Sequence, residues 1–352
     1  MIRINVDKRL AHFSLSVNAE FDKGITALYG RSGSGKTTLL RILAGLEQPE
    51  NGSIYVDEDC WLDGSLTVPT HQRALGYVFQ QPTLFPHLTV LENIMFSHTH
   101  GKRQCANVDA LIDILALSPL LNRRTTHLSG GEKQRVAIAR ALASKPRVLL
   151  MDEPLASLDG HAKKHIIPFL QRLCSEIAIP VLYVSHDPHE VAQLADNVLL
   201  IDEGRVIEHG PVAHIVHHNN FTQATFASPF SVCEGLVVQH DEEDRLSLVR
   251  ADIGDIWVKQ VNATIGSAIR LYIRADDVSL VKMLPAHSSI LNILSAQVVK
   301  LTPQNSDTLV VLRVGGTELL ANITKRSVKR LNLCSNDCVY AQIKGIAVHV
   351  FN

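Results

Sequence analysis

A glycine-rich stretch near the start of the chain has the composition of a phosphate-binding loop. Residues 30–38 read GRSGSGKTT, fit the pattern G-x-x-x-x-G-K-[S/T], and lie between a predicted strand and a predicted helix. The glycines allow backbone N–H groups to close around the β- and γ-phosphates of a nucleotide, while Lys36 supplies charge and Thr37 a hydroxyl for Mg²⁺. The candidate phosphate-binding residues are Gly30, Arg31, Ser32, Gly33, Ser34, Gly35, Lys36, Thr37 and Thr38.

Two later apolar segments end in residues that could act on a bound nucleotide. VLLMDEP (148–154) and YVSHD (183–187) lack apolar–polar alternation, which is typical of strands buried on both faces of a parallel sheet. Ligands bind beyond the carboxyl ends of such strands. We therefore expect Asp152 to hold Mg²⁺, Glu153 to act as general base toward water, and His186 to reach the γ-phosphate. Gln80 follows the predicted strand of VFQQ in the same way.

A second anion site is predicted a hundred residues further along the chain. In LSGGEKQRVAIARAL (128–142), Ser129 and Glu132 have the spacing of a capping box at the start of a helix. Gly130 and Gly131 lie in its first turn, where each costs about 1 kcal/mol relative to alanine. Backbone N–H groups that are left bare at a helix N-terminus bind anions.

The spacing of apolar residues predicts the elements that must position these groups. Strands are expected in residues 1–30, in GSIYVD and in ALGYVFQ, and helices after Thr37, through 87–145 and over 161–178. NVLLIDEGRVIEHG predicts a hairpin that turns at Glu203-Gly204. Beyond residue 228 short alternating strands predict an all-β, barrel-like region. There ADDVSLV (275–281) is expected to close one sub-barrel, and a second to begin near Ser288.

Composition limits the class of protein. The 352 residues are 46% hydrophobic and 20% charged, which allows a large core and argues against disorder. The formal charge of −1 gives no overall attraction to nucleic acid or to anionic membranes. The six cysteines are scattered, and Cys334 and Cys338 lack the second pair of a zinc site, so reduced thiols are expected. No apolar run approaches eighteen residues and no signal peptide is evident, so a membrane role would require a partner.

The ordered motifs resemble those of a known family. GRSGSGKTT, VFQ, LSGGEKQRVAIARAL, VLLMDEP, SLD and YVSHD, over about residues 1–230, resemble the nucleotide-binding subunits of ABC transporters. The resemblance implies ATP and Mg²⁺ as ligands. It implies that Gln80 belongs to the Q-loop, which senses Mg²⁺ and water and links to the membrane subunit. It makes Glu153 the catalytic carboxylate and His186 the switch histidine.

The same resemblance implies a homodimer. Ser129, Gly130 and Gly131 would form the signature motif, which acts on the nucleotide bound to the other chain. Asp159 would lie in the D-loop, which crosses the dimer interface. The family usually has an aromatic residue some twenty positions before the P-loop that stacks on adenine. Counting back here leads to Asp7–Arg9, with Phe13 later in the chain, so Arg9 or Arg31 would stack on the base, or the base would be held loosely.

The last part of the chain resembles a different module. SSILNILSAQVVKL, ITKRSVKRL and AQIKG resemble the molybdate-binding Mop module, and the whole chain is similar to the ATPase subunit of bacterial molybdate importers. A site for a dianionic oxyanion needs N–H groups and hydroxyls, and a cation adds to its affinity. A barrel that only dimerises the C-terminal regions is the alternative to an oxyanion site. The candidate oxyanion ligands are Ser288, Ser289, Asn292, Thr324, Ser327 and Lys344.

The resemblance gives the expected organisation. Residues 1–230 would form an α/β P-loop NTPase core whose helical subdomain, about 85–145, docks on the transmembrane partner. Residues 231–285 would be a β linker or the first part of a regulatory domain. Residues 286–352 would form a small all-β domain, OB-like and of the Mop or TOBE type.

The function expected from these resemblances is that of the ATP-hydrolysing motor of a molybdate or tungstate importer. A homodimer would sit on two transmembrane permease subunits, served indirectly by a periplasmic molybdate-binding protein, peripherally at the cytoplasmic face of the bacterial inner membrane. No nucleic-acid partner is expected. The alternatives are an importer of sulfate, iron or another solute, and a soluble ABC ATPase of DNA repair or translation. A single ATPase core without a coiled-coil insertion or a basic tail argues against the soluble ATPase.

Overall fold

The chain folds into two compact units. A computed structural model describes residues 1–100, 107–216, 229–304 and 306–351. The units are Met1–Gly210 and Pro211–Asn352, and each has its own hydrophobic core.

One eleven-stranded sheet organises the first unit. Its strand order is β6-β5-β4-β1-β2-β11-β10-β3-β9-β8-β7. In β1 and β2 every second residue is buried, which is the alternation that the sequence showed. The strands are β1 (Ile2–Arg9), β2 (Ser14–Phe21), β3 (Gly24–Tyr29), β4 (Asn51–Val56), β5 (Asp59–Asp63), β6 (Leu66–Thr67), β7 (Leu75–Val78), β8 (Val148–Asp152), β9 (Pro180–Val184), β10 (Asn197–Asp202) and β11 (Arg205–Pro211).

The parallel part of this sheet positions the candidate chemistry. Strands β10, β3, β9, β8 and β7 are neighbours and run parallel, and every residue of β8 and β9 is buried, as predicted. Val184 lies opposite both Leu28 and Asp152. The carboxyl ends of β3, β8 and β9 therefore share one edge of the sheet, and the residues that follow them meet there.

Helices connect these strands where the periodicity predicted them. The glycine at the end of the first helix, Gly45, has a φ of 73° and ends it in a left-handed cap. At the start of the fourth helix the predicted capping box is present. Ser129 Oγ accepts from the Glu132 N–H at 3.3 Å, and Glu132 Oε2 accepts from the Ser129 N–H at 2.7 Å. The helices are α1 (Lys36–Ala44), α2 (Val90–His100), α3 (Val108–Ile114), α4 (Gly130–Ala143), α5 (Gly160–Glu176) and α6 (Pro188–Leu194).

The predicted hairpin is also confirmed. Strands β10 and β11 are neighbours in the sheet, and the turn between them has φ values of 44° at Glu203 and 78° at Gly204. Positive φ at both central residues is the pattern of a type I′ turn, whose twist matches that of the flanking strands.

Apart from two short α-helices and two 3₁₀ turns, the described residues of the second unit are all-β, as the sequence predicted. Two five-stranded sheets have the orders β14-β13-β12-β15-β21 and β16-β20-β17-β18-β19. Its elements are α7 (Val212–Ile215), β12 (Phe230–Asp241), β13 (Leu246–Ala251), β14 (Gly254–Lys259), β15 (Ala268–Arg274), β16 (Val278–Val281), β17 (Asn292–Pro303), β18 (Asp307–Val314), β19 (Thr317–Thr324), α8 (Lys325–Leu331), β20 (Cys338–Ile343) and β21 (His349–Phe351).

The division of the strands between the two sheets does not follow their order in the chain. The expectation that 275–281 closes a first sub-barrel is wrong, because β16 pairs with β20 in the second sheet. The first sheet is instead extended by β21, at the other end of this unit, which pairs with β15. Strand alternation marks each strand but carries no information about a partner sixty residues away.

The described helices contain no candidate for a membrane span, since none is both long enough and apolar enough to cross a bilayer.

Candidate functional site

The glycine-rich loop joins β3 to α1 at the carboxyl edge of the parallel strands. Gly30 follows β3 with a φ of 149°, and a Cβ atom there would lie 2.0 Å from the carbonyl oxygen of Ile201. Only glycine fits a position that combines this conformation with so close a backbone approach. The loop is therefore held tightly against β10.

Lys36 occupies the centre of this loop. Its side chain is 5% exposed, and Nζ donates to the carbonyl oxygens of Gly30 at 2.8 Å and Arg31 at 2.7 Å. Burial lowers the pKa of Lys36, and the nearby carboxylates of Glu153 and Asp152 act in the opposite direction. A phosphate group placed against this ammonium would offset the cost of burying it.

The second residue of α1 and the last residue of β8 bring hard oxygen atoms together. Thr37 Oγ1 donates to Asp152 Oδ1 at 2.9 Å, and the Tyr77 hydroxyl donates to Asp152 Oδ2 at 3.2 Å. Burial raises the pKa of Asp152, while these two hydrogen bonds favour its ionised form. A hydroxyl and a carboxylate at one point are ligands that suit Mg²⁺. The predicted pair of Thr37 and Asp152 therefore fits this cation.

Glu153 lies between two other predicted residues. Gln80 Nε2 donates to its Oε2 at 3.3 Å, and His186 Nδ1 lies 3.5 Å from its Oε1. Glu153 has a φ of 45°, which is uncommon for a residue with a side chain. Its N–H donates to the carbonyl oxygen of Val184 at 3.2 Å, which anchors this turn to the adjacent strand. Residues from three separate strand ends thus meet at one carboxylate.

A cavity of about 230 Å³ lies over the loop, and the aromatic ring of Phe13 lines it. The sequence count points instead to Asp7–Arg9. Phe13 sits in the turn between β1 and β2, and a Cβ on Gly35 would lie 3.5 Å from its ring. Neither Arg9 nor Arg31 is among the residues that line this cavity. The lining residues are Leu10, Phe13, Ser32, Gly33, Gly35, Lys36, Thr37, Thr38 and Glu153.

The signature residues line a different and larger cavity. It has a volume of about 540 Å³ and lies between the N-terminal ends of α4 and α5. Asp159 is the N-cap of α5, where its Oδ1 accepts from the Ala162 N–H at 2.8 Å. The lining residues are Ser129, Gly130, Gly131, Glu132, Arg135, Ser157, Leu158, Asp159, Ala162, His165, Ile166 and Phe169. The structure therefore separates the predicted residues into one group at the P-loop and another at this second cavity.

Several of the six C-terminal candidates already have internal partners. Asn292 is buried, accepts from the Trp257 N–H at 2.7 Å and donates to the Trp257 carbonyl at 2.8 Å. Thr324 caps α8 by accepting from the Ser327 N–H, and their hydroxyls are 2.9 Å apart. Ser288 Oγ accepts from the Ile290 N–H at 3.0 Å. Lys344 follows Ile343, which lies opposite Asn292 in the sheet, and Ser289 lies in the segment before β17.

Comparisons with known proteins cover both units. The ABC transporter family matches residues 12–156, and the TOBE domain family matches residues 288–350. The molybdenum import ATP-binding protein ModC of Albidiferax ferrireducens is 47% identical over 96% of this chain and 93% of its own length. The protein of the same name from Methylococcus capsulatus is 43% identical over 93% of this chain and 92% of its own length.

Solved structures match the first part of the chain. An ATP-binding cassette solved as a dimer in a post-hydrolysis state with ADP and Pi has a TM-score of 0.51 and 28% identity. It covers 60% of this chain and 99% of its own. CbiO1 of Clostridium perfringens, part of an ABC transporter complex, has a TM-score of 0.54 and 26% identity, covering 63% of this chain and 92% of its own.

Proposed function

This chain belongs to the family of molybdenum import ATP-binding proteins of ABC transporters, and from that premise we propose that it hydrolyses ATP to drive molybdate import. The observation that carries the proposal is that relatives of this name match 93–96% of the chain, including the C-terminal unit. ATP hydrolysis is supported independently by the convergence of Lys36, Asp152 and Glu153 at one edge of the sheet.

The glycine-rich loop and Lys36 are the proposed phosphate-binding groups. The backbone N–H groups of residues 30–38 and the Lys36 ammonium would bind the β- and γ-phosphates of ATP. Thr37 and Asp152 would hold Mg²⁺, with Gln80 nearby as a further oxygen ligand. When bound, Mg²⁺ neutralises charge on the phosphate oxygens.

Glu153 is the proposed general base. Its carboxylate would take a proton from water as the water oxygen attacks the γ-phosphorus and the bond to the ADP oxygen breaks. Gln80 donates to one oxygen of this carboxylate, and His186 Nδ1 lies 3.5 Å from the other, so both side chains bear on its orientation. Positioning of this kind is the main contribution that a protein makes to phosphoryl transfer.

The second cavity is proposed to complete the site of another copy of the chain. Ser129, Gly130, Gly131 and Asp159 line it together, apart from the residues at the P-loop. The N–H groups at the start of α4 would then bind the γ-phosphate held by the partner chain. The solved relative with ADP and Pi is a dimer, which supports this arrangement.

The proposed assembly follows from the family. Two copies of this chain would bind two transmembrane permease subunits from the cytoplasmic face of the inner membrane, with residues 85–145 and the Q-loop at the contact. A periplasmic molybdate-binding protein would deliver the substrate to those subunits. In this organisation the chain itself is peripheral, and its partners cross the membrane.

Two measurements test the proposed ATP hydrolysis and the identity of the transported solute. Glu153→Gln should bind ATP as the wild type does, lose turnover and accumulate as an ATP-bound dimer in size-exclusion chromatography. Turnover near the wild-type rate would show that Glu153 is not the base. Cells that lack the gene should lose uptake of labelled molybdate, and the wild-type gene but not Glu153→Gln should restore it. Loss of sulfate uptake with molybdate uptake intact would assign the chain to a different importer.

A second proposal concerns the C-terminal unit. We infer that it binds an oxyanion near Lys344, because this lysine is an exposed cation directly after β20, whereas the amide of Asn292 is already bonded to the Trp257 backbone. Calorimetry of the full chain with molybdate should show micromolar binding that Lys344→Ala weakens, with sulfate as the competing oxyanion. The absence of binding would leave the unit with a structural or dimerising role.

A further inference from the structure

A buried polar network lies beside the loop that carries His186. Its centre is Glu190 on α6, which is 4% exposed. Glu190 Oε2 accepts from the Tyr183 hydroxyl at 2.8 Å and from Ser185 Oγ at 2.7 Å. Glu190 Oε1 accepts from Lys163 Nζ at 2.7 Å. Both carboxylate oxygens are therefore engaged, and Lys163 is a close cationic partner of the charge.

Lys163 extends this network to the start of α5. Its Nζ also donates to Asp187 Oδ2 at 3.2 Å. Its backbone N–H donates to the carbonyl oxygen of Asp159 at 2.9 Å, one helical turn earlier. One residue thus joins the turn that contains Asp159, through its backbone, to the loop that contains His186, through its side chain.

The network holds the chain on both sides of His186. Ser185 donates to Glu190, and Ser185 Oγ in turn accepts from the Asp187 N–H at 3.0 Å. Asp187 is bound by Lys163 and caps α6 by accepting from the His189 N–H at 2.9 Å. The residues immediately before and after His186 therefore belong to one hydrogen-bonded cluster.

The imidazole itself is weakly held. It is 58% exposed, and its contact with Glu153 Oε1 is 3.5 Å long. Because little packs against this ring, its position depends on the backbone that carries it. An ion pair whose carboxylate is buried, with both of its oxygens hydrogen-bonded, has few alternative geometries, so it is suited to fixing that backbone.

We propose that Lys163 and Glu190 are positioning residues for hydrolysis. They hold the His186 loop in place beside Glu153 and connect this loop to the turn that contains Asp159. The inference rests on the proposed roles of His186 and Asp159. It adds an intramolecular connection from the second cavity to the catalytic carboxylate, so that a change at the start of α5 reaches His186 through Lys163.

The test removes the two charges together. Lys163→Met alone would leave a buried carboxylate without its cation and should fold poorly. Lys163→Met/Glu190→Gln is neutral and keeps an amide oxygen for Tyr183 and Ser185. We expect its kcat to fall by about tenfold to 100-fold, the cost of a small misplacement, with the KM for ATP near the wild-type value. Lys163→Arg, which keeps the cation, should retain most of the activity.

A matched control uses the same chemistry on the same helix. Arg172 and Glu176 form an exposed ion pair at 3.2 Å on α5. Arg172→Met/Glu176→Gln should therefore leave kcat unchanged, since exposed pairs contribute little. A similar fall in both double variants would attribute the effect to general damage to α5 and overturn the proposal.

The same pair of substitutions in a His186→Ala background separates positioning from structure. If Lys163 and Glu190 act through His186, the residual turnover, followed with labelled ATP, should not fall further. A fall by the same factor as in the wild type would overturn the proposal, as would unchanged turnover in Lys163→Met/Glu190→Gln alone. If His186→Ala itself hydrolyses ATP normally, the role of His186 under the proposed function fails instead.

Discussion

The hydroxyl of Thr37 donates a 2.9 Å hydrogen bond to Oδ1 of Asp152, although 115 positions separate these residues in the chain. The bond joins the start of α1 to the end of β8. It therefore couples the phosphate-binding loop to the strand that Glu153 follows, and it places two candidate Mg²⁺ ligands together.

Removing the charge of Asp152 should weaken the metal site. Asp152→Asn keeps the side-chain volume but offers a neutral oxygen, so we expect hydrolysis to require at least about tenfold more Mg²⁺. Hydrolysis rates across a Mg²⁺ titration give this value. Tyr77→Phe is the control, because it removes the 3.2 Å hydrogen bond to the same carboxylate but no metal ligand. An equal shift in the two variants would contradict a direct role for Asp152.

Phe13 should contribute to nucleotide affinity. Its ring lies against Gly35 in the cavity over the loop, where a base would stack on it. Loss of one base–aromatic stack costs roughly 1–3 kcal/mol, so Phe13→Ala should weaken ATP binding by about tenfold or more, with kcat retained at saturation. Phe13→Tyr should bind normally. Fluorescent-nucleotide titration is the measurement, and a comparable loss in Arg9→Ala would instead indicate stacking by that guanidinium.

Gly131→Ala should stabilise the fold while abolishing hydrolysis. A Cβ at this position would meet its nearest neighbour, Ala162 Cβ, at 3.9 Å, so the methyl group fits within the chain. Helix propensity then favours alanine by up to about 1 kcal/mol. The same methyl group would obstruct a phosphate that approaches from a partner chain.

Thermal unfolding and ATPase rates measured together check this prediction. Gly160→Ala at the start of α5 is the control, because that position is also open and does not line the second cavity. Stabilisation with normal hydrolysis in Gly131→Ala would show that no ligand approaches the start of α4.

Arg73 should be a major determinant of stability in the first unit. Its guanidinium is 2% exposed and donates to the carbonyl oxygens of Ile42 at 2.9 Å, Leu43 at 2.6 Å and Val68 at 2.9 Å. Arg73→Met would remove the Arg73 donor from the Leu43 and Val68 carbonyls, while the Ile42 carbonyl keeps the Gly45 N–H as a donor at 3.0 Å, so we expect a loss of about 3 kcal/mol or more in urea unfolding. Arg41→Met removes an exposed ion pair with Glu47 and should cost less than about 1 kcal/mol. Equal losses would show that the carbonyl contacts of Arg73 contribute little.

Short-range patterns in the sequence predicted much of the fold and one part of the site. Three local features could be predicted, because each depends on residues within one loop or one helical turn: the P-loop, the Ser129–Glu132 capping box and the Glu203-Gly204 turn. The buried strands β8 and β9 were readable from their continuous apolar character. Since parallel strands share a carboxyl edge, the convergence of Asp152, Glu153 and His186 followed from the same patterns.

Tertiary structure alone decided which distant residues came to share a neighbourhood. Phe13 reaches the P-loop because the β1–β2 hairpin and the Gly204 turn pack there, although counting along the chain had pointed to Asp7–Arg9. Lys163 on α5 donates to Glu190 on α6, which lies 27 positions further along the chain. Strand β21, rather than β16, forms the edge of the first C-terminal sheet. The sequence by itself determined the local elements through propensity and periodicity. The partners across the fold were decided by close packing, whose contacts join residues that no local pattern relates.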